Sequence, residues 1–396
     1  MRGAGGDVMT IAGIICEYNP LHEGHVYHMN ETRRRTGCDY IVCVMAGAFM
    51  QRGEPAFLDK FVRAECALRA GADAVLELPA LYAVRPAELY ARGGVDILRA
   101  VGADFLSFGS ETDDLDFLLS LSGALLDESG EVSRQVREGL RAGKTLARAR
   151  GEALARALGV EPECLNQPNL ALAAEYLKRI LETNAPMRPV CVKRTSPYHA
   201  DEPSASASAL RRAFLAGDAE TALARLPECT REIVRRELPF APDMRVWDAL
   251  ALWSIRRLSP EAMDALPDAG EGLGRRLWNM AQTAGSAEEL TELVKCKRYT
   301  RARISRLIAS AALELPANVP EEIPYVRLLG FRRASSELIA ELKKRSGGRL
   351  CADPAALENT DAFRLERRAT DLRGLLTASP VYRQTGRDRT ARFLVV

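Results

Sequence analysis

The chain of 396 residues is 47% hydrophobic and 27% charged with a formal net charge of +2, a balance that excludes large-scale disorder and allows two domains with substantial cores. Any nucleic-acid surface must then come from local clustering rather than bulk charge. With no apolar run of eighteen or so residues, no basic segment leading into an apolar leader, and nine cysteines scattered from Cys16 to Cys351 without C-x-x-C pairs, the expectation is a cytoplasmic protein without membrane contact whose thiols stay reduced.

Residues 1–8, rich in Gly and Ala, read as a flexible extension. From Ile11 the chain alternates short apolar runs with amphipathic helices. The runs Ile11 to Cys16, Tyr40 to Met45, Ala74 to Leu78, Phe105 to Phe108 and Val190 to Val192 have the continuous apolar character of buried parallel strands. Helices are predicted over about Glu23 to Arg35, Phe57 to Ala70 and Pro86 to Val101, each followed by a glycine at 37, 71 or 102. The fold class is therefore α/β: an open, Rossmann-like parallel sheet of five strands over residues 9–220, with a helical insertion at about 112–165. From residue 221 to 396 the patterns are mainly helical.

Ligands of such sheets bind beyond the carboxyl ends of the strands. Just past the first strand come Tyr18-Asn19-Pro20-Leu21, a turn, and then His22-Glu23-Gly24-His25. Two imidazoles beside a helix start place ring and backbone N–H donors around one anion, as nucleotide phosphates require. His28 completes an i, i+3, i+6 series, but no acidic or cysteine partner sits at metal-site spacing, so no protein-held metal is expected. Gln51-Arg52-Gly53, Gly109-Ser110-Glu111 and Lys193-Arg194 fall at the later strand ends. Lys60 and Glu77 read as solvated loop residues. Ser206 and Ser208 lie in a small-residue stretch from Ser204 that opens a helix and carries Arg211; it reads as a serine N-cap or as a pyrophosphate grip. Asn169, after Gln167-Pro168, reads as a helix start or as an amide aimed at a base or ribose.

These motifs together carry a resemblance. The segment Glu17-Tyr18-Asn19-Pro20-Leu21-His22-Glu23-Gly24-His25, with Val44 to Gly47, Phe49 to Ala56, Phe108 to Glu111, Pro168-Asn169, Lys193-Arg194, Tyr198-His199, Lys297 to Thr300 and Arg327 to Gly330, resembles the bacterial tRNA(Met) cytidine acetate ligases. They are part of the nucleotidyltransferase superfamily with an H-x-G-H motif. The resemblance implies an AMP-forming enzyme that activates acetate with ATP as acetyl-adenylate and passes the acetyl group to the wobble cytidine of elongator tRNA(Met). It places ATP on Ile15, Cys16, Glu17, Tyr18, Asn19, Pro20, Leu21, His22, Glu23, Gly24, His25, Val26, Tyr27 and His28, and on Gly109, Asn169 and Arg194. His22 and His25 would be catalytic donors to the phosphates, and Ser206, Ser208 and Arg211 would hold the departing pyrophosphate. Mg2+ is expected with ATP. Ala48, Leu170 and Ser206-Ala207-Ser208 depart from the usual pattern, which bears on the acetate pocket and the base contacts.

In the second half Lys295, Lys297, Arg298, Tyr299, Arg301 and Arg303 interleave an aromatic ring with positive charge, the pattern of an RNA-facing surface. The basic stretch Gly123 to Leu158, with Arg134, Arg137, Arg141, Lys144, Arg148 and Arg150, is a second candidate contact. The alternatives are a small-molecule adenylyltransferase of the same superfamily and a non-catalytic, nucleotide-responsive RNA-binding protein.

Overall fold

The structure is a computed structural model of the chain and describes residues 9–127, 130–194 and 206–396. The expected extension at 1–8, the Tyr198-His199 pair and the start of the small-residue stretch at Ser204 lie outside them. The five expected strands form one parallel sheet: β1 (Ile11–Cys16), β2 (Tyr40–Ala46), β3 (Ala74–Leu78), β4 (Phe105–Ser110) and β5 (Arg188–Lys193). Their order is β5-β4-β1-β2-β3, so the chain reverses its winding between β1 and β4. That reversal opens a crevice at the carboxyl ends of β1 and β4.

The strands form because their residues are apolar on both faces, and every residue of β3 is buried. Helices α1 (Glu23–Thr36), α2 (Lys60–Arg69), α3 (Ala80–Ala83) and α4 (Ala87–Ala100) supply the first crossovers. Helix α4 presses against β1 through small residues. A Cβ at Gly13 would meet Leu98 Cδ2 at 2.4 Å, and one at Gly94 would meet Ile15 Cδ1 at 2.6 Å. After β4 comes the expected helical insertion, α5 (Leu115–Leu126), α6 (Glu131–Arg141) and α7 (Leu146–Leu158), before α8 (Pro168–Thr183) returns to β5.

Helices then dominate: α9 (Ala207–Leu215), α10 (Ala219–Ala224), α11 (Glu228–Glu237), α12 (Met244–Arg256), α13 (Pro260–Asp264), α14 (Leu273–Ala281), α15 (Ala287–Val294) and α16 (Arg301–Leu313). The sheet does not stop with the first half. Strand β6 (Val326–Phe331) runs antiparallel to β3, and β7 (Leu350–Cys351) and β8 (Leu394–Val395) pair with it in parallel, giving eight strands. Helices α17 (Ser336–Arg345), α18 (Asp361–Leu375) and α19 (Arg387–Thr390) complete the chain. The expected division near residue 220 is thus not a division of the sheet.

Lys60 and Glu77 are a correction to the sequence reading. Both are fully buried, because the C-terminal helices cover them. Lys60 Nζ meets Glu77 at 2.5 Å, Glu366 at 2.9 Å and Asp388 at 2.7 Å, while Arg327 donates to Asp388 at 2.6 Å and to Glu77 at 3.2 Å. Arg327, Glu366 and Asp388 come from β6, α18 and α19, hundreds of residues further along the chain, which local sequence around Lys60 cannot show.

Candidate nucleotide-binding site

The loop after β1 is held from three sides. Arg63, fully buried in α2, donates to the carbonyls of Glu17 at 2.6 Å, Ala46 at 2.9 Å and Leu58 at 3.1 Å, and to that of Gly47. Asn19 Oδ1 accepts the Phe57 N–H at 2.8 Å, and the Asn19 carbonyl accepts from Arg211 Nη1 at 2.7 Å. Glu17 accepts the Gln51 N–H at 2.7 Å, and burial raises its carboxyl pKa. Tyr18 sits at φ +48°, a left-handed conformation costly for a bulky side chain and sustained here by these anchors. Neither Arg63 nor Gln51 in this anchoring role is visible locally in sequence, since Arg63 donates to backbone carbonyls of distant segments and Gln51 gives its own N–H to the Glu17 carboxylate, 34 residues away.

His22 is the N-cap of α1. Its Nδ1 accepts the Gly24 N–H at 3.1 Å, and the His25 Nδ1 accepts the His22 N–H at 3.2 Å. With both Nδ1 atoms acting as acceptors, the neutral rings carry their protons on Nε2. The two imidazoles stack with centroids 3.7 Å apart. They present a pair of N–H donors beside the start of α1, and neither Nε2 has a partner among the described residues. Burial lowers the His22 pKa to about 4, with the Arg194 charge adding to it; burial, then His22 and Arg194, hold His25 well below the ordinary value. Both rings are therefore neutral at pH 7.

His28 is different. Thr32 Oγ1 gives its proton to the His28 carbonyl at 2.8 Å, so Ser107 Oγ must donate to Thr32 at 2.7 Å, and His28 Nε2 then donates to Ser107 at 2.9 Å. Each hydroxyl has one proton, which fixes the direction of the chain. His28 thus ties α1 to β4 and its Nε2 is spent. Ile15, Tyr18 and Leu21 are likewise packing side chains: Ile15 lies on Gly94, and Tyr18 and Leu21 are buried. Cys16 lies beside Cys43 and Tyr18, and its thiol is raised, chiefly by burial. The segment offers a ligand its backbone, Gly24, and the two histidine rings.

The later strand ends converge on the same edge. Arg194 follows β5, its N–H donating to the Ser110 carbonyl at 2.9 Å, and its guanidinium acts on all three histidines. A Cβ at Gly109 would come no nearer than 3.5 Å to Arg194 Cγ, so the protein itself does not demand glycine there. Asn169 starts α8 under Glu111, whose carboxylate accepts from Asn169 Nδ2 at 2.7 Å and Leu170 N at 2.8 Å. Its Oδ1 remains an acceptor. Ser206 caps α9 through the Ala209 N–H at 3.2 Å, the structural role anticipated for it. Ser208 is exposed, and Arg211 reaches back to the motif loop and to Glu54 at 3.1 Å. Asn19 Nδ2 and Ser110 Oγ are buried without a partner among the described residues.

Comparison with known proteins meets this geometry. A family model described as HIGH Nucleotidyl Transferase matches residues 9–388. Curated tRNA(Met) cytidine acetate ligases from Thermoanaerobacter sp. (strain X514) and Syntrophomonas wolfei are 34% and 32% identical over 92% and 96% of this chain, and 94% and 98% of theirs. The crystal structure of Thermotoga maritima TmcAL bound with alpha-thio ATP superposes with a TM-score of 0.89 at 31% identity, covering 98% of this chain and 100% of that one. The chain belongs to the tRNA(Met) cytidine acetate ligase family.

Within the basic segment after α15 of this ligase family member, Tyr299 needs correction as a stacking residue. Tyr299 is buried and its hydroxyl donates to the Glu271 carbonyl at 2.6 Å, so its ring is no stacking platform. Arg301 pairs with Glu288 at 2.7 Å and also with Glu292, Arg303 pairs with Glu271 at 2.6 Å, and Lys295 lies 3.8 Å from Glu292. Lys297 and Arg298 are exposed and without an ion pair among the described residues. In the insertion, Arg134 pairs with Glu131 and Glu138, and Lys144 and Arg148 meet Glu152 at 2.5 and 2.8 Å. These pairs neutralise part of the helix faces, while Arg137 and Arg141 have no ion pair among the described residues.

Proposed function

We propose that this protein binds ATP at the edge formed by the β1 loop, Gly109, Asn169 and Arg194, activates acetate, and acetylates the wobble cytidine of elongator tRNA(Met). An acetate oxygen attacks the α-phosphorus and pyrophosphate leaves, giving acetyl-adenylate; the cytidine N4 then attacks the acetyl carbon, loses a proton, and AMP departs. No side chain need become a covalent intermediate. The single observation that carries the reading is the stacked, neutral His22–His25 pair with both Nε2–H groups unspent beside Arg194. Donors aimed at oxygens that gain charge as pyrophosphate leaves lower the barrier most where water is excluded.

Arg194 would hold the α-phosphate, Arg211 the leaving pyrophosphate with Ser208, Gly24 would admit the phosphates closely, and Asn169 would present an acceptor to the adenosine. Mg2+ would accompany ATP and offset its phosphate charge. The described residues hold no group of three or more His, Cys, Asp or Glu suited to an ion. The ATP chemistry falls to residues 9–220 and tRNA recognition to 221–396, a division of labour across one shared sheet. No helix among the described residues is long and apolar enough to cross a membrane, and the reaction we propose is one of the cytoplasm, where its tRNA is found.

Acetate-dependent exchange between ATP and labelled pyrophosphate, followed by mass spectrometry of the wobble cytidine, tests both half-reactions. Exchange that needs a phosphorylated acceptor instead of acetate would make the protein an adenylyltransferase.

A further inference from the structure

On the outer side of α18 lies a cleft of about 450 Å³ in which Leu372, Leu375 and Ala312 supply apolar lining and Arg364, Arg367, Arg368 and Arg383 the guanidiniums, with Asp371 the carboxylate on its wall. Its guanidiniums are only partly engaged. Arg364 uses Nη1 on the exposed Asp361 at 2.7 Å, Arg367 uses Nη1 on Glu358 at 2.6 Å, and Arg368 uses Nη1 on Glu314 and on the Leu313 carbonyl at 3.0 Å. The Arg367 Nε is buried without a partner among the described residues, and the Arg383 guanidinium has no hydrogen bond or ion pair there. Asp371 accepts the Gly386 N–H at 2.9 Å, so part of its capacity is already used. Each arginine keeps free donors in the planar fork that fits phosphate.

The basic surface continues to an aromatic. Glu314, the partner of Arg368, also holds Arg257 at 2.5 Å. Arg257 follows the last residue of α12 and its N–H donates to the carbonyl of Trp253, one turn earlier and 65% exposed. The opposite side of α18 faces the nucleotide edge: Arg373 donates to the Ala56 and Phe57 carbonyls at 3.1 and 2.9 Å, and the Phe57 N–H is the one that Asn19 accepts.

We propose that this arginine cleft is an RNA-docking surface, with phosphates seated on Arg364 and Arg383 and an unpaired base stacked on Trp253. The inference rests on the tRNA reading above and gives it a location other than the Lys297–Arg298 loop. A cleft one helix away from the segment that anchors Asn19 would let bound RNA sit beside the nucleotide site without occupying it. Phosphate contacts give salt-dependent affinity, and base stacking gives an increment without counterion release.

The test is tRNA affinity across a salt series for the full chain and its variants. Replacing Arg364→Ala together with Arg383→Ala should weaken binding about tenfold and flatten the salt slope by about two. Acetate-dependent pyrophosphate exchange without tRNA should stay unchanged. Trp253→Ala should weaken binding severalfold at unchanged slope, and Trp253→Phe should restore most of it. Unchanged affinity and slope in the arginine pair, with the wild type binding normally, overturns the cleft alone. So does a pair that loses affinity for polyglutamate but not for tRNA, which would mark an acidic-protein surface. A wild-type chain that performs the exchange but has no tRNA affinity overturns the reading beneath both.

Discussion

The His22–His25 loop and the Lys60 cluster sit at the carboxyl edge of one sheet and handle polar groups in opposite ways. In the loop, the imidazoles of buried His22 and half-buried His25 are kept neutral, their Nδ1 atoms are satisfied by backbone, and their Nε2–H donors are left over. In the cluster, Lys60 alone meets three carboxylates and Arg327 meets two of them. Nearly every donor is consumed there, although one Asp388 oxygen is left without a hydrogen bond. A site that must greet a ligand keeps capacity in reserve; a joint between chain segments spends it.

The largest expected effect would break this contrast at the joint. Lys60→Met leaves Glu77, Glu366 and Asp388 with Arg327 as their main cation, and removing one partner of a buried ion network typically costs about 3–5 kcal/mol. Denaturant unfolding should show that loss. An unchanged midpoint would mean that the cluster is not structural. Next comes His25→Ala, expected to reduce acetyl-adenylate formation by about 10²–10³, the range for one preorganised donor. Its unfolding midpoint should move far less than that of Lys60→Met, and equal destabilisation by both would erase the distinction.

Acidification separates the two regions further. The His22 pKa is lowered to about 4, so between about pH 6.5 and 4 the unfolded chain binds a proton that the folded one refuses, and stability falls as pH falls. His28 is lowered to about 4 by burial and then Arg194, and acts in the same direction. For His22 the loss is on the order of 3 kcal/mol. Glu366 opposes it. Burial, then the charge of Glu77, raise its carboxyl to about 7, so the folded state holds the proton more tightly and its contribution grows as pH falls from 7 toward 4.5. Glu366→Gln should therefore steepen the acid-side decline in melting temperature. A shallower decline would put the titration elsewhere.

How much of this could be read beforehand depended on the distance between partners. β1 to β5 were legible because strands buried on both faces are continuous apolar runs, and the histidine loop was legible because its contacts are i, i+2 and i, i+3. β6 entered the sequence reading only as a motif, its apolar run interrupted by Arg327. That arginine is buried because Glu77 and Asp388 meet it from 250 and 61 residues away. Tyr299 was misread for the same reason, since the carbonyl that claims its hydroxyl belongs to Glu271.

The smallest effects concern surface charge, where the same spent-or-unspent question decides the outcome. Arg301 and Lys297 look alike as letters in one basic run, but Arg301 is held by Glu288 and Glu292 while Lys297 and Arg298 are exposed without an ion pair among the described residues. Arg301→Ala should change stability by less than about 1 kcal/mol, as exposed pairs do, and leave the salt dependence of tRNA binding nearly intact, because a guanidinium already facing two carboxylates releases few counterions. Neutralising Lys297 and Arg298 together should leave stability untouched. If that loop also meets phosphate, the salt slope flattens by about two; if the slope moves with Arg301 instead, ion pairing in the free protein does not predict which cations RNA takes.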